Sequence, residues 1–100
     1  MKYTAWLPID EYLASLSARD ADSRIFGAFA NADDAVVLVI TGDGSAWRIP
    51  FSAFPVSGDG TAPDFEDVAP ADYGHTLRLG PYEASAEAVL ADAERVNRRP

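Results

Sequence analysis

Residues 35–51, AVVLVITGDGSAWRIPF, join a β-branched apolar run to a glycine-flanked aspartate and a second, alternating run. The first part, residues 35–41, is continuously apolar and predicts a strand buried on both faces or lying at the centre of a sheet. Gly42-Asp43-Gly44 predicts a tight turn, because glycine supplies positive φ without a steric cost. Alternation in residues 45–51 puts Trp47, Ile49 and Phe51 on one face, towards a core, and leaves Arg48 exposed on the other with Ala46 and Pro50. Phe51 and Phe54 stand three apart, the spacing of one helical turn, and Pro50 and Pro55 end the strand. Upstream, SRIFGAFANADD (residues 23–34) reads as another strand, closed by a turn at Asp33 and Asp34. Short strands joined by turns of a few residues pair antiparallel. The expectation is a meander of three strands at about 24–30, 35–41 and 45–51.

Helical periodicity frames this meander. In PIDEYLASLSARD, residues 8–20, Ile9, Tyr12, Leu13 and Leu16 recur at i, i+3, i+4 and i+7, which is one apolar helical face. Pro8 suits the first turn, and Asp10 and Glu11 suit the positive end of the helix dipole. A helix is expected from about Pro8 to Ala18, with Tyr3 to Leu7 as a short strand before it. At the other end, EASAEAVLADAERVNRRP predicts a second helix. Ser85 is its N-cap and Ala86, Val89, Leu90, Ala93 and Val96 form its apolar stripe, with Arg95, Arg98 and Arg99 at the negative end. HTLRLG, residues 75–80, is expected to be a short strand with Leu77 and Leu79 on one face.

Between these lies VSGDGTAPDFEDVAPADYGH, residues 56–75, rich in Gly, Pro, Asp and Ala. It predicts a long connector with one helical turn near Phe65 to Val68, and connectors of this length are often functional. The fold class expected is therefore α+β: a small antiparallel sheet of a three-stranded meander plus one or two short strands, with an N-terminal and a C-terminal helix packed on it. One hundred residues is the size of one domain, 1–100, and with 48% hydrophobic residues the chain has enough apolar surface to form a core.

Composition excludes several functions. With no cysteine there is neither disulfide nor thiolate chemistry. No apolar run is long enough for a membrane-spanning helix, and acidic residues occupy the place of a signal-peptide core, so a cytoplasmic protein is expected. The net charge is −8, and between Arg48 and Arg78 there is no Lys or Arg while Asp59, Asp64, Glu66, Asp67 and Asp72 fall there. Direct binding of nucleic-acid phosphates needs a basic stripe that this chain lacks. An acidic surface favours fast encounter with a basic partner.

Catalytic signatures are scarce. The one histidine, His75, has no second His or Cys with which to form a zinc site, and Asp72 is the nearest carboxylate to orient it as a base. GDGSAW and SGDGTA lack the following helix and the lysine of a phosphate-binding loop. DFEDVAPAD does not have the spacing of an EF-hand. No catalytic residue, metal or cofactor is expected.

The order of an apolar strand, Asp43-Gly44, Ile49-Pro50-Phe51-Ser52, Phe54-Pro55 and a helix within Tyr82 to Leu90 resembles a family of small, uncharacterised bacterial domains. Members of that family are found beside toxin–antitoxin pairs or fused to helix-turn-helix domains. The resemblance implies a small α+β fold and a non-enzymatic, protein-binding, antitoxin-like role. The N-terminal helix is a departure from the family pattern, as is the strand TLRLG, and the resemblance carries no catalytic residue.

The function expected is an acidic protein-binding module that engages and neutralises a basic, nucleic-acid-acting partner, either a toxin or a nucleic-acid-guided effector. Asp59, Asp64, Glu66, Asp67 and Asp72 would steer the encounter, with Tyr73 and Trp6 as anchors. Three alternatives stand beside it. One is a phage-encoded inhibitor of a bacterial defence complex, whose carboxylates mimic phosphates. The second is a small-molecule-binding or enzyme-accessory domain with an apolar pocket beneath Trp47. The third is a homodimer formed through an exposed strand edge.

Overall fold

The computed structural model describes residues 4–96. Its centre is the apolar run: strand β3 (Val36–Thr41) lies between β2 (Ile25–Asn31) and β4 (Ala46–Pro50), antiparallel to both. Two-residue strands, β1 (Ala5–Trp6) beside β2 and β8 (Glu94–Arg95) beside β4, complete a five-stranded sheet. A second sheet of three antiparallel strands holds β5 (Val68–Ala71), β6 (Thr76–Leu79) and β7 (Tyr82–Ser85). Helix α1 (Ile9–Leu16) follows β1, and helix α2 (Ala86–Ala91) follows β7. The class is α+β with antiparallel strands.

The pleat sorts β3 into two kinds of side chain. Val37 and Val39 are fully buried and, with Ala28, Ala30 and Ile49, form one cluster with Leu77 and Leu79 of the second sheet and Val89 of α2. Val36, Leu38 and Ile40 point the other way and are half-buried. Of the two readings of the apolar run, the structure shows the central strand. Its outer face is not sealed.

The turn after β3 is held by one carboxylate. Asp43 Oδ1 accepts from Thr41 Oγ1 (2.8 Å) and from the Ser45 amide (3.0 Å), and Oδ2 accepts from Ser45 Oγ (3.1 Å). Gly44 takes the positive φ of 85° that the turn needs. These bonds hold the Asp43 carboxyl below its ordinary pKa, the Ser45 amide being the largest cause and the Thr41 hydroxyl the next. Trp47 Nε1 donates to Thr41 Oγ1 (3.1 Å), which ties the same turn to β4.

Several expectations are corrected. One sheet becomes two, because residues 68–71 of the expected connector form a strand, while residues 56–67 are the loop that the sequence predicts. Phe65 stacks on Phe51 (centroids 3.8 Å, planes 11° apart) and meets Phe54 edge-on, and the turn expected near it is a single one, closed by the Asp67 amide on the Asp64 carbonyl (3.2 Å), after which the chain enters β5. β5 reads VAPA, with neither alternation nor β-branched weight to announce a strand; pairing with β6 and packing against β2 form it.

The C-terminal helix ends at Ala91, so Ala93 and Val96 leave its stripe. The open edge of β4 captures the chain instead. Trp47 pairs with Arg95, Arg48 Nη2 reaches Glu94 Oε1 at 2.7 Å, and the Arg95 guanidinium lies 5.9 Å from the Trp47 ring centroid. On β4, Ile49 alone is fully buried; Trp47 and Phe51 pack at the margin of the core. Phe51 itself begins a 3-10 turn, Phe51–Ala53. Tyr3, Arg98 and Arg99 lie outside the described residues. Among the described residues no helix is long and apolar enough to cross a membrane.

The Phe65 contact makes the connector part of the packed structure. Replacing Phe65 with Ala should cost about 2 kcal/mol, below the ~3–5 kcal/mol of a fully buried Phe because the residue is only partly buried. A urea melt reads this as a lower midpoint at unchanged slope. A loss under about 0.5 kcal/mol would mean that the loop is not packed on the body through Phe65.

Candidate protein-binding surface

Helix α1 sits on the body by the wrong side for its apolar stripe. At 100° per residue, Ile9, Leu13 and Leu16 cluster on one side, and Glu11 and Ser15 lie roughly 125–165° round the helix from them. The second set faces the protein. Ser15 is fully buried, while Ile9, Leu13 and Leu16 are 71%, 57% and 50% exposed. Tyr12, at the boundary, meets Phe26 edge-on at 5.1 Å. The sequence-based expectation that Ile9, Leu13 and Leu16 pack on the sheet is therefore overturned.

Hydrogen bonds decide the orientation. Ser15 Oγ donates to the Tyr73 carbonyl (3.0 Å), and the Tyr73 amide donates to Glu11 Oε1 (3.0 Å). Arg24 Nη1 adds longer contacts to Ser15 Oγ (3.3 Å) and the Tyr73 carbonyl (3.4 Å), and its Nε is paired with Asp20 at 2.8 Å. A small residue at position 15 lets helix and turn approach closely. A leucine there would hold them apart.

The turn that receives α1 is itself unusual. Asp72, Tyr73 and Gly74 have φ of 51°, 55° and 84°, three consecutive residues in the left-handed region. Glycine is at home there, but a bulky residue such as Tyr73 is strained. Gly74 is required for space as well, since a Cβ would come within 2.9 Å of the Ile25 carbonyl. The strained Tyr73 side chain points outward, 44% exposed.

Trp6, half-exposed, closes the other end of the surface. Its indole lies across Gly27, where a Cβ would meet the ring at 2.7 Å, and with Leu7, Ile9 and Tyr12 it lines a shallow apolar groove of about 320 Å³. The two anchors expected from sequence, Trp6 and Tyr73, are thus both attached to the α1 region, and Ile9, Leu13 and Leu16, the apolar face of a helix expected to pack on the sheet, add exposed apolar surface. Ser15, a small residue on the far side of the helix from the apolar face, is the signal that could have shown which side docks.

The expected steering carboxylates are not gathered in one place. Asp72 accompanies Tyr73. Asp64, Glu66 and Asp67 lie at the opposite end of β5, whose four residues span roughly 13 Å. There Asp67 pairs with Arg78 at 3.2 Å, and Asp64 Oδ1 accepts from the Glu66 amide at 2.9 Å. Asp59 belongs to a separate turn and accepts from Ser57 Oγ and from the Thr61 amide (3.0 Å). The Ser57 hydroxyl first, and then Thr61, hold the Asp59 carboxyl down at about 2.

His75 is exposed, and its amide donates to the Asp72 carbonyl (2.9 Å). With Asp20, Ser23 and Glu87, and with Ala86 and Leu90, it borders a cleft of mixed polar and apolar lining, about 650 Å³, beside α2. Near Ile49 and Phe54 a hollow measures about 110 Å³, smaller than the ~300 Å³ and above of small-molecule sites. Among the described residues no group of three or more His, Cys, Asp or Glu side chains is placed to hold a metal ion. Comparisons of the chain with protein-family models, with curated proteins and with solved structures found no match.

Two measurements test this geometry. Replacing Tyr73 with Gly removes the strain and replacing it with Ala keeps it, so the Gly variant should be the more stable by about 1 kcal/mol. Equal stability would mean that position 73 is not left-handed. Carboxyl NMR should place the Asp59 midpoint near 2 and show it rising in Ser57→Ala. Because the folded pKa lies below the ordinary aspartate value of 3.8, the turn's contribution to stability is present above that value and fades as pH falls towards 2.

Proposed function

We propose that the protein is a non-enzymatic, acidic, cytoplasmic binding module that engages a basic protein partner through the exposed stripe of α1, with Trp6 and Tyr73 as flanking anchors. The observation that carries this reading is the inverted helix: Ile9, Leu13 and Leu16 stand in solvent although a core lies within reach. Anchors at i, i+4 and i+7 are the pattern by which a helix docks into a groove of another protein. Aromatic residues at the ends of such a stripe are the usual energetic centres of an interface.

Charge supplies the partner's sign. The chain carries −8, Asp10 lies beside the apolar stripe, and Asp72 adjoins the Tyr73 anchor. The remaining steering residues, Asp59, Asp64, Glu66 and Asp67, act at longer range, raising the encounter rate with a cationic body without touching it. The antitoxin-like role implied by the family resemblance is this chemistry applied to a toxin that binds nucleic acid through a basic surface.

Affinity capture from a native lysate, with a salt titration of what is held, tests the proposal. Wild-type protein should retain a basic partner at low salt and release it as salt rises. Leu13→Asp, at a solvent-exposed position, should fold normally and capture at least tenfold less. Charge reversal at Asp64, Glu66 and Asp67 should weaken capture and flatten its salt dependence. Recovery of nothing basic, or capture indifferent to both salt and Leu13→Asp, would overturn the reading.

A further inference from the structure

A second apolar surface lies on the outer face of the five-stranded sheet, away from the core. Across its middle, register places Phe29 beside Leu38 and Leu38 beside Arg48, which pairs with Glu94; the next row holds Trp6, Gly27, Ile40 and Ala46. Phe29, Leu38 and Ile40 are half-buried by their sheet neighbours alone, and the core-forming elements all lie on the opposite face. An ordinary one-sided antiparallel sheet carries polar residues in these positions.

We propose that this face pairs two copies of the chain, sheet against sheet. Charge selects that occupant. Among the described residues of the two rows, Arg48 and Glu94 are the charged ones, and they neutralise each other at 2.7 Å. In a molecule of net charge −8 this is a face that a second acidic copy can approach without carboxylates opposing one another, and it offers no excess negative charge to a basic partner. The sheet's edges offer a second copy little, because β1 and β8 are two residues long and present almost no ladder to extend. Flat antiparallel faces pack on each other at about 10 Å with their strands nearly aligned.

Size sets the strength. Strands of 2, 7, 6, 5 and 2 residues, spaced about 4.8 Å apart, give roughly 350 Å² of face per copy. Two such faces bury roughly 700 Å² in total, below the ~1,000 Å² of a stable specific interface and in the range of weak, transient pairing. The dimer is accordingly weak and concentration-dependent.

Sedimentation velocity of the full chain from micromolar to millimolar concentration tests this. The mass should rise from 10.7 kDa towards twice that value. Association should strengthen as salt screens the repulsion between two acidic bodies, the opposite of the salt response of a basic-partner complex. Leu38→Lys should hold the protein monomeric, and Leu13→Asp should leave the dimer intact, so failure here is distinct from failure of the α1 reading. As a check that needs no variant, dilution should shift the amide resonances of Phe29, Leu38 and Ile40 in the wild type. A single 10.7 kDa species at every concentration, or a dimer that survives a folded Leu38→Lys, overturns the proposal.

Discussion

The structure depends on one buried cluster that unites Val37 and Val39 of the central strand with Leu77 and Leu79 of the second sheet, all of them without solvent exposure. Each set is a short alternating row on a short strand, and neither sheet covers both of its own faces. Stacking one inner face on the other removes both rows from water at once, with α2 and Phe54 closing the margin. The aromatic group Phe51, Phe54, Phe65 and Tyr82 then fixes where the intervening chain crosses from one sheet to the other. The connector is held by that crossing. Its carboxylates are dispersed as a result, because each turn along the path carries its own.

Much of this architecture could be read from the amino acids, and the failures have identifiable physical causes. The meander was legible because β-branched alternation and glycine turns are local signals, and the Asp43 turn, the exposed Arg48 and the helical turn at Phe51 stand where local chemistry places them. β5 was not legible, since VAPA has no strand signature and owes its conformation to β6 and β2. The end of α2 was missed for the same kind of reason: Glu94 and Arg95 read as helix until the open edge of β4 and the Trp47 ring compete for them. For α1, periodicity identified the apolar stripe but not the direction in which it points. That direction is set by Ser15 and Glu11 bonding to a turn more than fifty residues away.

These features divide the surface into regions with different chemistry. The α1 side presents isolated apolar side chains beside acidic ones, on a helix anchored through polar bonds. The outer face of the five-stranded sheet presents a flat, electrically neutral apolar area whose rigidity comes from its ladder. Trp6 borders both, its ring lying over Gly27 on the sheet and its edge lining the groove with Ile9. A change at Trp6 therefore bears on both surfaces, whereas Leu13 and Leu38 each report on one.

The bond from the Tyr73 amide to Glu11 Oε1 also has a spectroscopic meaning. This amide is held by a side chain of α1, outside any strand ladder, so its exchange with solvent deuterium is slowed only while the helix remains docked. The protection of this one proton measures the free energy of lifting α1 off the body, separately from global unfolding. A partner that grips the exposed stripe without prising the helix away would leave that protection in place, and one that peels the helix off would erase it.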